Sequence, residues 1–152
     1  MASDWHTEEG ERALKIGKKV ERIVVSSFRE RGYTIDHIAE DPDRFFDGYD
    51  VLVAGKRVEV KSNSGWSKGG VALDTFCVEI VTKTGKPIGW STGKSDRVVL
   101  VNRRTGTAYI YRSDMLKAWS VGQRIRVVND ADCFIMPHEC TAAGYLKKWE
   151  LV

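Results

Sequence analysis

Gly48 to Asn63 reads GYDVLVAGKRVEVKSN, and the alternation inside this stretch decides what kind of sheet the chain builds. Val51, Val53, Val58 and Val60 alternate with Asp50, Leu52, Arg57, Glu59 and Lys61, the period of two that marks half-buried strands. Gly55-Lys56 is expected to be the two-residue loop of a tight hairpin, which sets Asp50 opposite Lys61 and Leu52 opposite Glu59. Asp50, Glu59 and Lys61 then share one face and the valines take the other, so two carboxylates and an ammonium converge while the apolar side is buried. Taken alone, an acid and a base on the wet side of a hairpin form a weak surface ion pair.

Working outward towards the N-terminus, Met1 to His6 reads as a loose end. A helix is predicted to follow, with Thr7 as its N-cap and Glu8 and Glu9 well placed for the dipole. At about 100° per residue, Leu14, Ile16, Gly17, Val20, Ile23, Val24, Val25 and Phe28 fill one arc, and Arg12, Lys15, Lys18, Lys19, Arg22, Arg29 and Glu30 fill the other. Glu21 is the one charge in line with the apolar stripe, so it either has a cation beside it or lies at the stripe's edge. Gly32 ends the helix, Tyr33 to Ile38 reads as a short strand, and Asp41-Pro42-Asp43 as a turn. Phe45 and Phe46 are expected to close part of the core, and Gly48 to allow an unusual backbone entry to Asp50.

Working outward in the other direction, Ser62 to Gly70 has turn composition, with Trp66 as its one large apolar group, free to stack on a base or to pack on its own domain. Phe76, Val78 and Ile80 mark a third strand with Glu79 on the opposite face, and Lys83 to Pro87 a basic turn. Ser91 or Thr92 is expected to cap a short helix whose N–H groups could receive a phosphate, ahead of the apolar strand Arg97 to Val101. A turn at Arg103 to Gly106 returns the chain as Thr107 to Tyr111. Ser113 is expected to cap a helix from Asp114 to Trp119, with strands at Arg124 to Val128 and Cys133 to Met136. Tyr145 to Val152 carries no clear signature.

The chain has 152 residues, which suits a single domain spanning 1–152. Its 24 Lys and Arg against 21 Asp and Glu permit a phosphate-bearing partner without demanding one. Acidic residues crowd Glu40 to Asp50, and Lys83, Lys86, Lys94, Arg97, Arg103 and Arg104 follow, so a basic surface could lie beside an acidic pocket. An odd number of cysteines, Cys77, Cys133 and Cys140, with no apolar signal region at the start, points to a reducing, cytoplasmic setting without disulfides. No apolar run is long enough to cross a bilayer, so no membrane partner is expected. Cys133, His138 and Cys140 lack a fourth ligand at zinc spacing.

Asp50, then a hairpin, then Glu59-Val60-Lys61 resembles the signature of the PD-(D/E)XK nuclease superfamily, which includes restriction endonucleases and Holliday junction resolvases; Tyr49 stands where that family has Pro. The order of Glu79, Gly85-Lys86-Pro87, Gly89, Thr92 and Asp96 is similar to a small phage-encoded branch of it. The resemblance implies a restriction endonuclease-like core of the α/β to α+β class, a central mixed sheet carrying the hairpin with the first helix across one face and the Thr92 helix on the flank. It implies a DNA endonuclease using Mg²⁺ or Mn²⁺, with Asp50, Glu59 and the carbonyl of Val60 as metal ligands, Glu21 reaching the same metal, and Lys61 orienting water or stabilising the phosphorus centre. Trp66, Lys83, Lys86, Ser91, Thr92 and Lys94 become candidate DNA contacts, a homodimer is possible, and the cytoplasm of a bacterial host is the implied setting. The alternative, from a different class, is a DNA-binding or assembly subunit that keeps the fold without cleaving.

Overall fold

In the computed structural model, residues 8–38, 49–66, 69–81, 89–128 and 131–151 are described. The fold is mixed α+β. Helix α1 (Glu8–Glu30) ends as its sequence demands: Gly32 adopts φ 86°, and the N–H groups of Gly32 and Tyr33 return to the carbonyls of Arg29 and Phe28 at 3.0 Å each. Three antiparallel strands follow, β1 (Ile35–Ile38), β2 (Val51–Val53) and β3 (Lys56–Asn63). The chain then leaves the sheet, contributes β4 (Thr75–Val81) elsewhere, and re-enters as β5 (Arg97–Asn102), parallel to β3. Strand β6 (Thr107–Arg112), helix α2 (Ser113–Ser120), β7 (Arg126–Val128), β8 (Ala131–Pro137) and β9 (Tyr145–Glu150) complete the order. The main sheet runs β1-β2-β3-β5-β6-β9, and a second, three-stranded sheet runs β4-β8-β7.

Alternation along the central strands creates two cores. Val51, Val53, Val58, Val99, Val101, Ala108 and Ile110 face α1 and pack on Val20, Val24, Val25 and Phe28. Val98, Leu100, Tyr109 and Tyr111 face the other way, onto Phe76, Val78, Trp90, Leu116, Phe134 and Met136 of the second sheet, α2 and the turn before β5. The main sheet is thus covered on both sides, by a helix on one and by a smaller sheet on the other. No described helix is long and apolar enough to cross a membrane, and none of the three cysteines forms a disulfide.

Several expectations are corrected. The hairpin loop is Ala54-Gly55, with φ 48° and 79°, and Val53 pairs with Lys56, so the register is shifted by two residues from the expected one. A shift by two preserves which face each side chain occupies. The strand holding Phe76 lies in the second sheet. No helix begins at Ser91 or Thr92: a 3₁₀ turn, Gly89–Ser91, ends there, and the Thr92 hydroxyl donates back to the Gly89 carbonyl at 2.9 Å. Ser113 is the first residue of α2 rather than its cap, and its hydroxyl bonds that of Ser95 at 2.9 Å inside the core. The untyped C-terminal stretch is β9, an edge strand. Thr7, the turn at Asp41 to Asp43, Phe45, Phe46, Gly48 and the basic turn with Lys83 and Lys86 lie outside the described residues.

The parallel β3–β5 junction is fastened by one carboxylate. Asp96 accepts the Arg57 backbone N–H at 2.9 Å and its Nε at 3.1 Å on Oδ2, and Nη2 at 3.1 Å on Oδ1, while its own N–H donates to the Arg57 carbonyl at 2.7 Å. Asp96→Ala is expected to lower stability by about 1–2 kcal/mol, a partly exposed pair being worth less than a buried one. Arg57→Ala should cost less, because Asp96 keeps the backbone bond. Urea midpoints at unchanged slope check both; an Arg57 variant as damaging as the Asp96 variant would contradict the assignment.

Candidate active site

Strand β3 puts Val58 and Val60 towards α1 and Glu59 and Lys61 on the opposite face, the one covered by the second sheet. Glu59 is buried at 6 % exposure, an unusual place for a carboxylate, so its oxygens must be satisfied within the protein. The backbone N–H of Trp90 donates to Oε2 at 2.8 Å, and Lys61 Nζ lies 3.6 Å from Oε1. Trp90 is itself fixed by its indole N–H, which donates to the Glu79 carbonyl at 3.1 Å.

Asp50 sits just before β2, where the β2–β3 pairing has run out past Val51 and Val58. Its N–H still donates to the Val58 carbonyl at 2.9 Å, and its Oδ2 accepts the next free N–H of β3, that of Val60, at 2.7 Å. Each carboxylate is therefore aimed by one backbone N–H through one oxygen, and the second oxygen of Glu59, Oε1, is the one near Lys61. A strand residue presents its N–H and C=O to the same side, so the Val60 carbonyl lies on the Asp50 edge too.

The charges act on one another. Burial raises the Asp50 carboxyl, against the Val60 N–H and the Lys61 charge, which lower it. Burial raises Glu59 to about 7; the Lys61 charge opposes this and the Asp50 charge reinforces it. Burial pulls the Lys61 ammonium down, but Glu59, Asp50 and Glu79 together outweigh it and hold the group above its ordinary value. Lys61 stays protonated at neutral pH and is an electrostatic group, not a base.

Asp50, Glu59 and Lys61 are thus brought together as expected. Glu21 is half-buried on α1, the helix that covers the valine side. Among the described residues no three His, Cys, Asp or Glu side chains form a metal-holding group. Trp66 is 48 % exposed on the loop after β3, with the Arg104 guanidinium 5.4 Å from its ring centre. Gly65 pins that loop: at φ 77°, a side-chain carbon there would meet Asn102 Oδ1 at 2.3 Å. Ser91, Thr92 and Lys94 lie at the end of the 3₁₀ turn and just beyond it. Arg57 is committed to Asp96. Two contributors were not legible. Trp90 counts in the sequence only as an apolar group, yet its amide holds Glu59. Glu79 shows in the sequence as an alternating strand position and as one residue of the phage-branch order, neither of which places its sheet.

Compared with known proteins, the chain matches no family model, no curated protein and no solved structure. What the site does must be argued from its residues.

The Glu59 shift has a sign that stability can report. The folded protein keeps this proton up to about pH 7 and the unfolded chain only to 4.5, so stability falls as pH rises across that interval. Glu59→Gln is expected to match the parent at pH 4.5 and to exceed it at pH 8 by about 3 kcal/mol in metal-free urea titrations. A difference that does not grow with pH would mean that Glu59 ionises normally.

Proposed function

We propose that this protein is a divalent-metal-dependent deoxyribonuclease, an endonuclease that hydrolyses phosphodiester bonds through Asp50, Glu59 and Lys61. The observation that carries the reading is the convergence of two backbone-aimed carboxylates and a charged lysine at the open end of the β2–β3 hairpin. The setting supports it: the hairpin lies inside a mixed sheet with the first helix across one face, the arrangement that the PD-(D/E)XK resemblance implies.

The donor set fits a hard cation. Mg²⁺ is commonly held by one or two carboxylates with substrate phosphate and water in its remaining positions, and Asp50 Oδ1, Glu59 Oε1 and the Val60 carbonyl are oxygens of the right kind. Bound there, Mg²⁺ or Mn²⁺ would neutralise phosphate charge and acidify a water molecule. Asp50 and Glu59 hold and orient. Lys61, kept protonated by its carboxylates, stabilises negative charge as it grows on phosphorus. Glu59 must lose its proton to serve as a ligand, so proton and metal compete for it and metal binding weakens as pH falls below about 7.

A second reading has one observation in its favour. Both Glu59 oxygens already have internal contacts, and a DNA-binding subunit that does not cleave would keep them. The two readings separate in one assay: linear duplex, supercoiled, single-stranded and four-way-junction DNA incubated with Mg²⁺, Mn²⁺ or EDTA. Cleavage is expected with either metal, none with EDTA, and a loss of at least about 100-fold in Asp50→Asn and Lys61→Ala. Parent-like cutting by both variants would exclude this site, and DNA binding without product would establish the second reading.

A further inference from the structure

The proposed chemistry leaves one strongly charged surface unused, the solvent face of α1. Arg12, Lys15, Lys18, Lys19, Arg22 and Arg29 are all exposed, and at about 100° per residue they fall within one arc. Between Arg12 and Arg29 the sequence holds one acid, Glu21, which lies outside that arc, in line with Val24 and Phe28. The spacing makes the cations neighbours of one another: Lys15 to Lys18 and Lys19, Lys18 to Arg22, and Lys19 to Arg22. Like charges three and four residues apart destabilise a helix, whereas a face selected only for solubility gains by alternating Glu with Lys. Among the described residues no carboxylate pairs with Lys15, Lys18, Lys19, Arg22 or Arg29. Past the helix end two further cations lie against one core ring: Arg31 is 4.7 Å from the Trp149 ring centre and Lys147 of β9 is 5.8 Å from it.

From this we infer that the outer face of α1 is a docking surface for the phosphate backbone of duplex DNA. Arg12 to Arg29 spans roughly 25 Å, a length over which each DNA strand presents about seven phosphates at about 3.4 Å apart. A row of flexible ammonium and guanidinium groups meets such a repeating charge without reading sequence. The surface rests on the proposed DNA reading for its partner but not on the site, because α1 covers the valine side of the main sheet while Glu59 and Lys61 face the other side. Holding DNA and cutting it are therefore separable properties.

The test is fluorescence anisotropy of a labelled duplex in EDTA from about 50 to 200 mM salt, with the parent and Lys15→Gln/Lys18→Gln/Lys19→Gln/Arg22→Gln. The four side chains touch nothing in either core, and their removal relieves repulsion, so the melting temperature should hold or rise. The log K against log salt slope should shrink by about three, with affinity down roughly tenfold or more at low salt. That result supports the surface whether or not the protein cuts, and failure to cut in Mg²⁺ then falls on the site alone. An unchanged slope and affinity would overturn it, as would a parent that binds no duplex, or one that binds phosphatidylserine vesicles and not DNA.

Discussion

A strand with one apolar and one charged face can lie inside a protein only if the charges are matched where they lie, and β3 imposes that condition on its surroundings. Its valines require a helix on one side, and α1 supplies it. Its Glu59 and Lys61 face the second sheet, where a lone carboxylate would carry a desolvation penalty of several kcal/mol. The 3₁₀ turn Gly89–Ser91 answers by bringing the Trp90 N–H to Glu59, and the indole of the same residue ties that turn to β4. Asp96 then fastens the chain leaving the turn to the start of β3 through Arg57. The crossover between the parallel strands is placed by these polar bonds as much as by its apolar residues.

The same matching sets the site's chemistry. Lys61 feels three carboxylates and keeps its proton, whereas Glu59, deeper and beside another acid, titrates near neutrality. In the proposed reading the Lys61 ammonium and a divalent cation would be alternative partners for Glu59 Oε1, and a lysine released from that contact would carry its charge towards the phosphate. Such an exchange would need no backbone movement, because Asp50 and Glu59 are each held through their other oxygen.

How much of this was legible depends on which features are local. Parity along a strand is local, so the face shared by Glu59 and Lys61 could be read although the register could not. The register failed at Ala54, which adopts φ 48° where Asn, Asp or Gly is the usual occupant, and so gave no signal that the loop begins there. The helix end at Gly32 is local and was readable. Ser113 and Thr92 have the right chemistry for caps, but the first is drawn into the core by Ser95 and the second closes a turn instead of opening a helix. The assignment of β4 to a separate sheet, and with it the positions of Glu79 and Trp90, depends on pairing with β8, whose partners lie 51 to 62 residues further along the chain, which no local pattern encodes.

The exposure of the three residues also gives the site a direction. The Glu59 side chain is 7 % exposed and that of Lys61 31 %, and Asp50 stands half-buried at the strand's entrance. Glu59 is therefore the back wall, and Asp50 and Lys61 the sides that solvent reaches. In the proposed reading a phosphate approaching from solvent would meet the ammonium first, a favourable long-range encounter that falls with salt. The acids alone would repel it. In the proposed reading Lys61 would therefore act before any bond is broken, drawing an anion towards Glu59.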